Sequence, residues 1–128
     1  MQTMNKVMLL GRIGMDPERR QVKSGKTLAR FSLATDRAVR QPDGGWETQT
    51  EWHQITTWEK TAENILTHAR KGDMIALEGR LQYHQWEDPE GRKRTKAGVT
   101  AERVSIIGRP QRSQPAQARV PVEASIPF

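Results

Sequence analysis

From Met74 to Trp86 the chain reads MIALEGRLQYHQW, a period-two alternation with Ile75, Leu77, Leu81 and Tyr83 on one side and Met74, Glu78, Arg80, Gln82, His84 and Trp86 on the other. Only an extended strand sorts residues that way, and a strand this long with one polar side belongs to a sheet that is buried on one face and wet on the other. Gly79 is the expected kink, because so long a strand has to bend. Trp86 falls on the charged side, among Arg80, His84 and amides. A tryptophan there is either open for a flat ring to stack on, with cations nearby for phosphate, or an indole snorkelling over the edge of the core.

A second tryptophan pattern bears on that choice. In TEWHQITTW, Trp52 and Trp58 lie six residues apart on one side of a strand, with only Gln54 and Thr56 between them. A core-facing row would carry Val, Ile or Leu at those positions. Broad rings among small polar groups suit a stacking platform, although a Trp-rich edge strand has the same appearance. The other side, His53, Ile55 and Thr57, is partly apolar.

The 128 residues fit one domain, and only 34% of them are of hydrophobic type against 28% charged. That balance is lean for a monomer and leaves room for oligomerisation to complete the burial. A net charge of +6 favours a polyanionic partner, a signal that gains meaning beside an aromatic face. The absence of cysteine excludes disulfides and thiolate metal sites. No apolar run approaches the roughly 20 residues a membrane helix needs. A soluble cytoplasmic protein without cofactor or metal is expected.

Read along the chain, the first strand is Asn5 to Ile13, apolar on both sides through Val7, Met8, Leu9 and Leu10, so that a second subunit is a candidate cover for one of them. Gly14 and Asp16-Pro17 break it, and Ser24-Gly25 turns into a strand from Thr27 to Thr35 with Ala29, Phe31 and Leu33 facing in and Arg30 and Ser32 facing out. The turn formers Gln41-Pro42-Asp43-Gly44-Gly45 mark a long hairpin finger leading to the strand Thr48 to Trp58. Ala62, Ile65, Leu66 and Ala69 recur at helical spacing, which predicts a short amphipathic helix over Lys60 to Arg70 with Gly72 as its stop. After the long strand, Glu87 to Gly91 forms a second exposed turn. The return strand, Thr95 to Ile107, changes parity between Ala101 and Val104, which predicts a bulge, and Gly108 closes the domain. From Arg109 the composition turns to Pro, Gln, Ala and Ser without periodicity, which predicts a disordered tail over 109–128. Its end, Ile126-Pro127-Phe128, is either bait for a partner pocket or a random apolar terminus.

Strands and one helix in this order predict an all-β, five-stranded OB barrel over 1–108, with the helix between the third and fourth main strands. Five segments, NKVMLLGRIGMDPERR, ARFSLAT, TEWHQITTWEKTAE, ARKGDMIALEGRL and the terminal IPF, occur in the order and at the spacings of bacterial single-stranded DNA-binding proteins, which this chain resembles from Asn5 to Gly108. The resemblance implies an OB-fold homotetramer, a dimer of dimers, that wraps single-stranded DNA without chemistry in the bacterial nucleoid. It also implies recruitment of replication, recombination and repair enzymes through the tip Ile126, Pro127 and Phe128. By the same likeness Trp52, Trp58 and Trp86 match base-stacking aromatics, Lys60 and Lys71 match phosphate-contacting lysines, and His53 and the first strand, through Val7 and Leu9, match subunit contacts.

The chain departs from the family pattern at Val39, where another stacking tryptophan is usual, and Trp46 in the same hairpin either compensates or packs on its own finger. The tail carries Arg109, Arg112 and Arg119 against Glu123 alone, where the family has several aspartates. By strand parity or loop position, Arg30, Arg80, His84, Arg92, Lys93 and Arg94 are further phosphate contacts or ordinary solvated charges. Catalysis finds no support: Glu51, His53, His68, His84, Glu87 and Asp88 are scattered without ligand spacing, and no P-loop, HExxH or GxSxG motif occurs. An accessory protein acting mainly through protein contacts would suit Val39 and the tail, but the three retained tryptophans argue against it.

Overall fold

A computed structural model of the chain describes residues 2–109; the predicted tail from 110 on, with its tip Ile126, Pro127 and Phe128, lies outside the described residues. The elements are β1 (Val7–Ile13), β2 (Glu18–Gln21), β3 (Thr27–Arg40), β4 (Trp46–Trp58), α1 (Glu59–His68), β5 (Met74–Glu87) and β6 (Lys93–Gly108). The sheet runs β1-β5-β6-β4-β3-β2, and β1 pairs with β3 as well, so five strands close a ring and β2 is added outside it. The pairings are antiparallel except for β4 with β6, joined through Ile55 to Val99 and Thr56 to Thr100. This is the expected OB barrel with one strand more than the sequence revealed. The extra strand reads ERRQ and is exposed throughout, so it has no hydrophobic periodicity. Its pairing is imposed by the turn after it, where Gly25 takes φ 84 and its N–H donates to the Val22 carbonyl at 2.8 Å.

Inward-facing Phe31, Leu33, Ile55, Ile75, Leu77 and Val99 fill the ring, and Ala62 and Ile65 of α1 pack into the same cluster. Thr57 is fully buried among them and donates its hydroxyl to the Ala29 carbonyl at 3.1 Å. Helix α1 stops at His68, short of the expected Arg70, because Ala69 is already extended at φ −90 and ψ 140. Gly72, expected as the helix stop, instead serves the next turn at φ 91, where its N–H donates to the Ile13 carbonyl at 2.9 Å. The strands beside the first finger are longer than expected, β3 reaching Arg40 and β4 beginning at Trp46. The polar arms pair rung by rung from Thr35–Glu51 to Arg40–Trp46 without needing a buried face.

In β1 the alternation sorts the apolar residues onto two sides. Val7 and Leu9 turn inward and pack on the core, while Met8 and Leu10 are the exposed pair. Gly11 is buried where β1 passes from β5 to β3; a Cβ there would lie 2.1 Å from the Ala34 carbonyl oxygen, so the ring closes only over a bare backbone.

The long hairpin of β5 and β6 bends as its sequence requires. Gly79 pairs with Ala101 and Glu78 with Arg103, leaving Glu102 as the extra residue of a bulge inside the predicted interval. A second extra residue, Ile107, lies between the Ile75–Ile106 and Met74–Gly108 pairs. Beyond Leu81 the hairpin leaves the barrel, since β6 is the only strand pairing with Gln82–Glu87 among the described residues. Tyr83, expected on the core side, is therefore 63% exposed, because the core ends before it. A Cβ on Gly79 would sit 2.0 Å from the Thr100 carbonyl oxygen, a backbone atom with no room to yield. Gly79→Ala is expected to lower the unfolding free energy by about 1–3 kcal/mol in urea denaturation.

Candidate nucleic-acid interface

Because β4 alternates, Trp46, Trp52 and Trp58 share its outer side at intervals of six residues, about 20 Å each. Their exposures are 66%, 59% and 37%, and that of Trp86 is 48%. Trp58 is the most enclosed of the four, and Leu28, directly opposite it on β3, is an outer-face residue that is nevertheless buried. The residue after Trp58, Glu59, takes φ 51, a left-handed conformation that costs a non-glycine residue on the order of 1 kcal/mol and turns the strand abruptly into α1. Val39 pairs with Glu47 and falls on the opposite side of the finger from Trp46, so Trp46 is aligned with Trp52 rather than with position 39. At the fingertip the Arg40 guanidinium lies 5.5 Å from the centre of the Trp46 ring, a cation–π contact that holds the indole beside a positive charge.

Rows of polar side chains join these rings across the sheet. On the outer face Ser32 is opposite Gln54 and Arg30 opposite Thr56; Thr56 adjoins Thr100, which faces Arg80. Next along the hairpin, Gly98 faces Gln82, Lys96 faces His84 and Arg94 faces Trp86. Between the two arms lies a recess of about 290 Å³ lined by Arg30, Gln54, Thr56, His84, Trp86 and Lys96, among others. A second recess, of about 450 Å³, is lined by Trp52, His53 and Leu81 and shares Gln54 and Lys96–Val99 with the first. The two form one groove running from Trp52 to Trp86 over the small residues Ala97 and Gly98. Amides, hydroxyls and cations line it, a composition that makes a poor core and a good cradle for a charged, ring-bearing chain.

The expected phosphate contacts divide by location. Arg30 and His84 line the groove; Arg80 is on the same face but not among the lining residues. Lys60 flanks a hollow beside α1 that shares Ser24, Lys26 and Glu59 with the hollow under Trp58. Lys71 is on the turn whose N–H donates to Asp16 at 2.8 Å, next to the end of β1. At the second fingertip Arg92 pairs with Glu90 at 2.9 Å and Arg94 with Asp88 at 3.0 Å, whereas Lys93 has no acidic partner among the described residues. His53 shares a hydrogen bond with Thr35 at 2.8 Å within the same chain.

Sequence reasoning placed Gln54 and Gln82 on the tryptophan-bearing sides but missed Lys96 and Lys26. Lys96 carries a parity signal that becomes informative only once β6 is set in register against β5. Lys26 depends on β2, whose hairpin is held to α1 by the two-pronged contact of Arg19 with Glu63 at 2.8 and 3.1 Å. The Arg19 hydrogen bond keeps the Glu63 carboxyl below the usual carboxylate range. Among the described residues no group of three or more His, Asp or Glu could hold a metal ion, and no helix is long and apolar enough to cross a membrane.

The barrel, its capping helix and two projecting fingers define an OB-fold protein with an aromatic outer groove. The chain belongs to the single-strand binding protein family, whose family model matches residues 4–107. It is 37% identical over 106 residues to single-stranded DNA-binding protein 1 of Chlorobaculum tepidum, covering 82% of this chain and 65% of that protein. It is 36% identical over 106 residues to the single-stranded DNA-binding protein of Neisseria meningitidis, covering 83% and 61%. The chain thus spans less than two thirds of the length of either relative. Among solved structures, a Plasmodium falciparum SSB in complex with ssDNA matches with a TM-score of 0.78 at 24% identity, over 84% of this chain and 98% of that one, a likeness of fold.

The second fingertip has a built-in response to acid. Asp88 accepts the Arg92 N–H at 2.8 Å, the Arg94 side chain at 3.0 Å and the Glu90 N–H at 3.0 Å. Led by the Arg92 backbone bond, these contacts hold its carboxyl below the ordinary value. A depressed carboxylate stabilises the turn above its unfolded-state pKa, and that support is lost as pH falls through the folded-state pKa. Amide exchange at Gly91 and Arg92, corrected for the intrinsic pH dependence, is expected to lose protection on acidification through that window. Asp88→Asn should remove the dependence.

Proposed function

We propose that this protein binds single-stranded DNA in the groove between Trp52 and Trp86 and protects it during replication, recombination and repair. The observation that carries the reading is the set of four partly open indoles, three of them in line on the outer side of one strand, among amides and cations. Each ring offers a π face to any base, while Arg30, Lys60, Lys71, Arg80, His84, Lys93 and Lys96 replace counterions on the phosphates; Arg92 and Arg94 contribute once they exchange their acidic partners. Trp46 extends the path along the first finger, beside Arg40. The function is binding, with no covalent step.

Duplex DNA competes poorly under this reading, because its bases are already stacked on one another. The family match and the relatives named for single-stranded DNA binding support the substrate class. The proposal extends to a homotetramer, with Met8 and Leu10 as the apolar surface on β1 that a second subunit would cover. Ile126, Pro127 and Phe128 would recruit replication and repair enzymes, and association with DNA would place the protein in the cytoplasmic nucleoid.

Titration of a labelled oligo(dT) tests the binding reading. Trp52→Ala and Trp86→Ala should each weaken binding by about 1–3 kcal/mol. Affinity should fall as salt rises, by about 0.7 in the log–log slope per phosphate contacted, and be unchanged by EDTA. Unaltered affinity in both alanine variants would overturn the stacking mechanism. The subunit surface is tested separately: Met8→Asp combined with Leu10→Asp should shift the sedimentation profile toward smaller species.

A further inference from the structure

We propose that Gly14 is a positioning residue for base stacking, the bare backbone on which the Trp52 indole lies; the inference rests on the reading of Trp52 as a stacking ring. A Cβ added at Gly14 would lie 2.3 Å from Cζ3 of Trp52, 2.8 Å from Cη2 and 3.4 Å from Cε3. The far edge of the six-membered ring therefore occupies the space a side chain would take. Backbone conformation gives no separate reason for glycine here, since the positive-φ glycines are Gly25, Gly44, Gly72 and Gly91.

The backbone at this point is anchored. The Gly14 N–H donates to the Ser32 carbonyl at 2.9 Å, the preceding Ile13 N–H donates to Asp73 at 3.0 Å, and the Ile13 carbonyl accepts from Gly72 at 2.9 Å. A methyl group at position 14 is thus accommodated by moving the ring rather than the chain. Across the sheet the residue in register with Trp52 is Ala34, another small residue. Its remaining surface stays open at the mouth of the groove. Displacing the ring costs the fold little, because it is the exposed end of a side chain, but it changes the angle and height at which a base meets it.

The test compares the unchanged protein with Gly14→Ala, Trp52→Ala and the double variant, using anisotropy of a labelled oligo(dT) and thermal unfolding of each. Trp52→Ala should weaken binding about 5- to 150-fold. Gly14→Ala should weaken it by about threefold or more, and by no more than Trp52→Ala does, with little change in Tm. In the Trp52→Ala background, Gly14→Ala should have an effect of less than about twofold, the signature of two residues acting as one unit. In the Trp52→Phe background the smaller ring clears the added methyl, so Gly14→Ala should bind as Trp52→Phe alone does. That background also restores the fold if Gly14→Ala by itself unfolds. Normal binding by Gly14→Ala, or the same loss with and without Trp52, overturns the positioning role while leaving stacking intact. Normal binding by Trp52→Ala overturns the stacking reading and the positioning role with it.

Discussion

The contact on which this architecture turns is the approach of Gly79 to the Thr100 carbonyl oxygen, where a side chain would find 2.0 Å. It allows β5 and β6 to fold sharply over the bulge at Glu102 and so to serve two purposes in sequence. Up to Leu81 the hairpin is barrel wall, with Ile75, Leu77 and Val99 on the core. Past that point it is a free arm that sets His84 and Trp86 at the edge of a groove. A straight ribbon would carry its aromatic end away from β4, leaving two unconnected patches.

Burial and exposure are divided with little overlap. The inward side of every ring strand supplies the small core, completed by α1, and the outward side is left to amides, hydroxyls, cations and indoles. Because core contacts fix the backbone, the outer side chains need make few contacts of their own. Two of the indoles have a small or local partner: Trp52 lies against Gly14 and Trp46 beside Arg40. Both are more than half exposed, which leaves ring surface free for another flat group.

Much of this was legible in the residues themselves. The period of two placed Trp52, Trp58 and Trp86 on polar faces, Gly79 on a kink and the bulge between Ala101 and Val104. The fold class followed from the order of elements and the five family segments. Errors arose where the local pattern was silent. Strand β2 has no apolar residue to announce it. Tyr83 continued the core parity beyond the end of the core.

The sequence by itself determined which residues share a face, because alternation and turn chemistry are local properties of a strand. It also determined that the polar faces carry the indoles and much of the positive charge. Tertiary structure decided which faces meet. Lys96 and Gln54 line one groove only because β4 and β6 pair in parallel across the closure of the ring, and Trp52 lies on Gly14 only because β1 passes from β5 to β3 there. Such contacts join residues far apart in the chain, and their register is set by how the whole core packs.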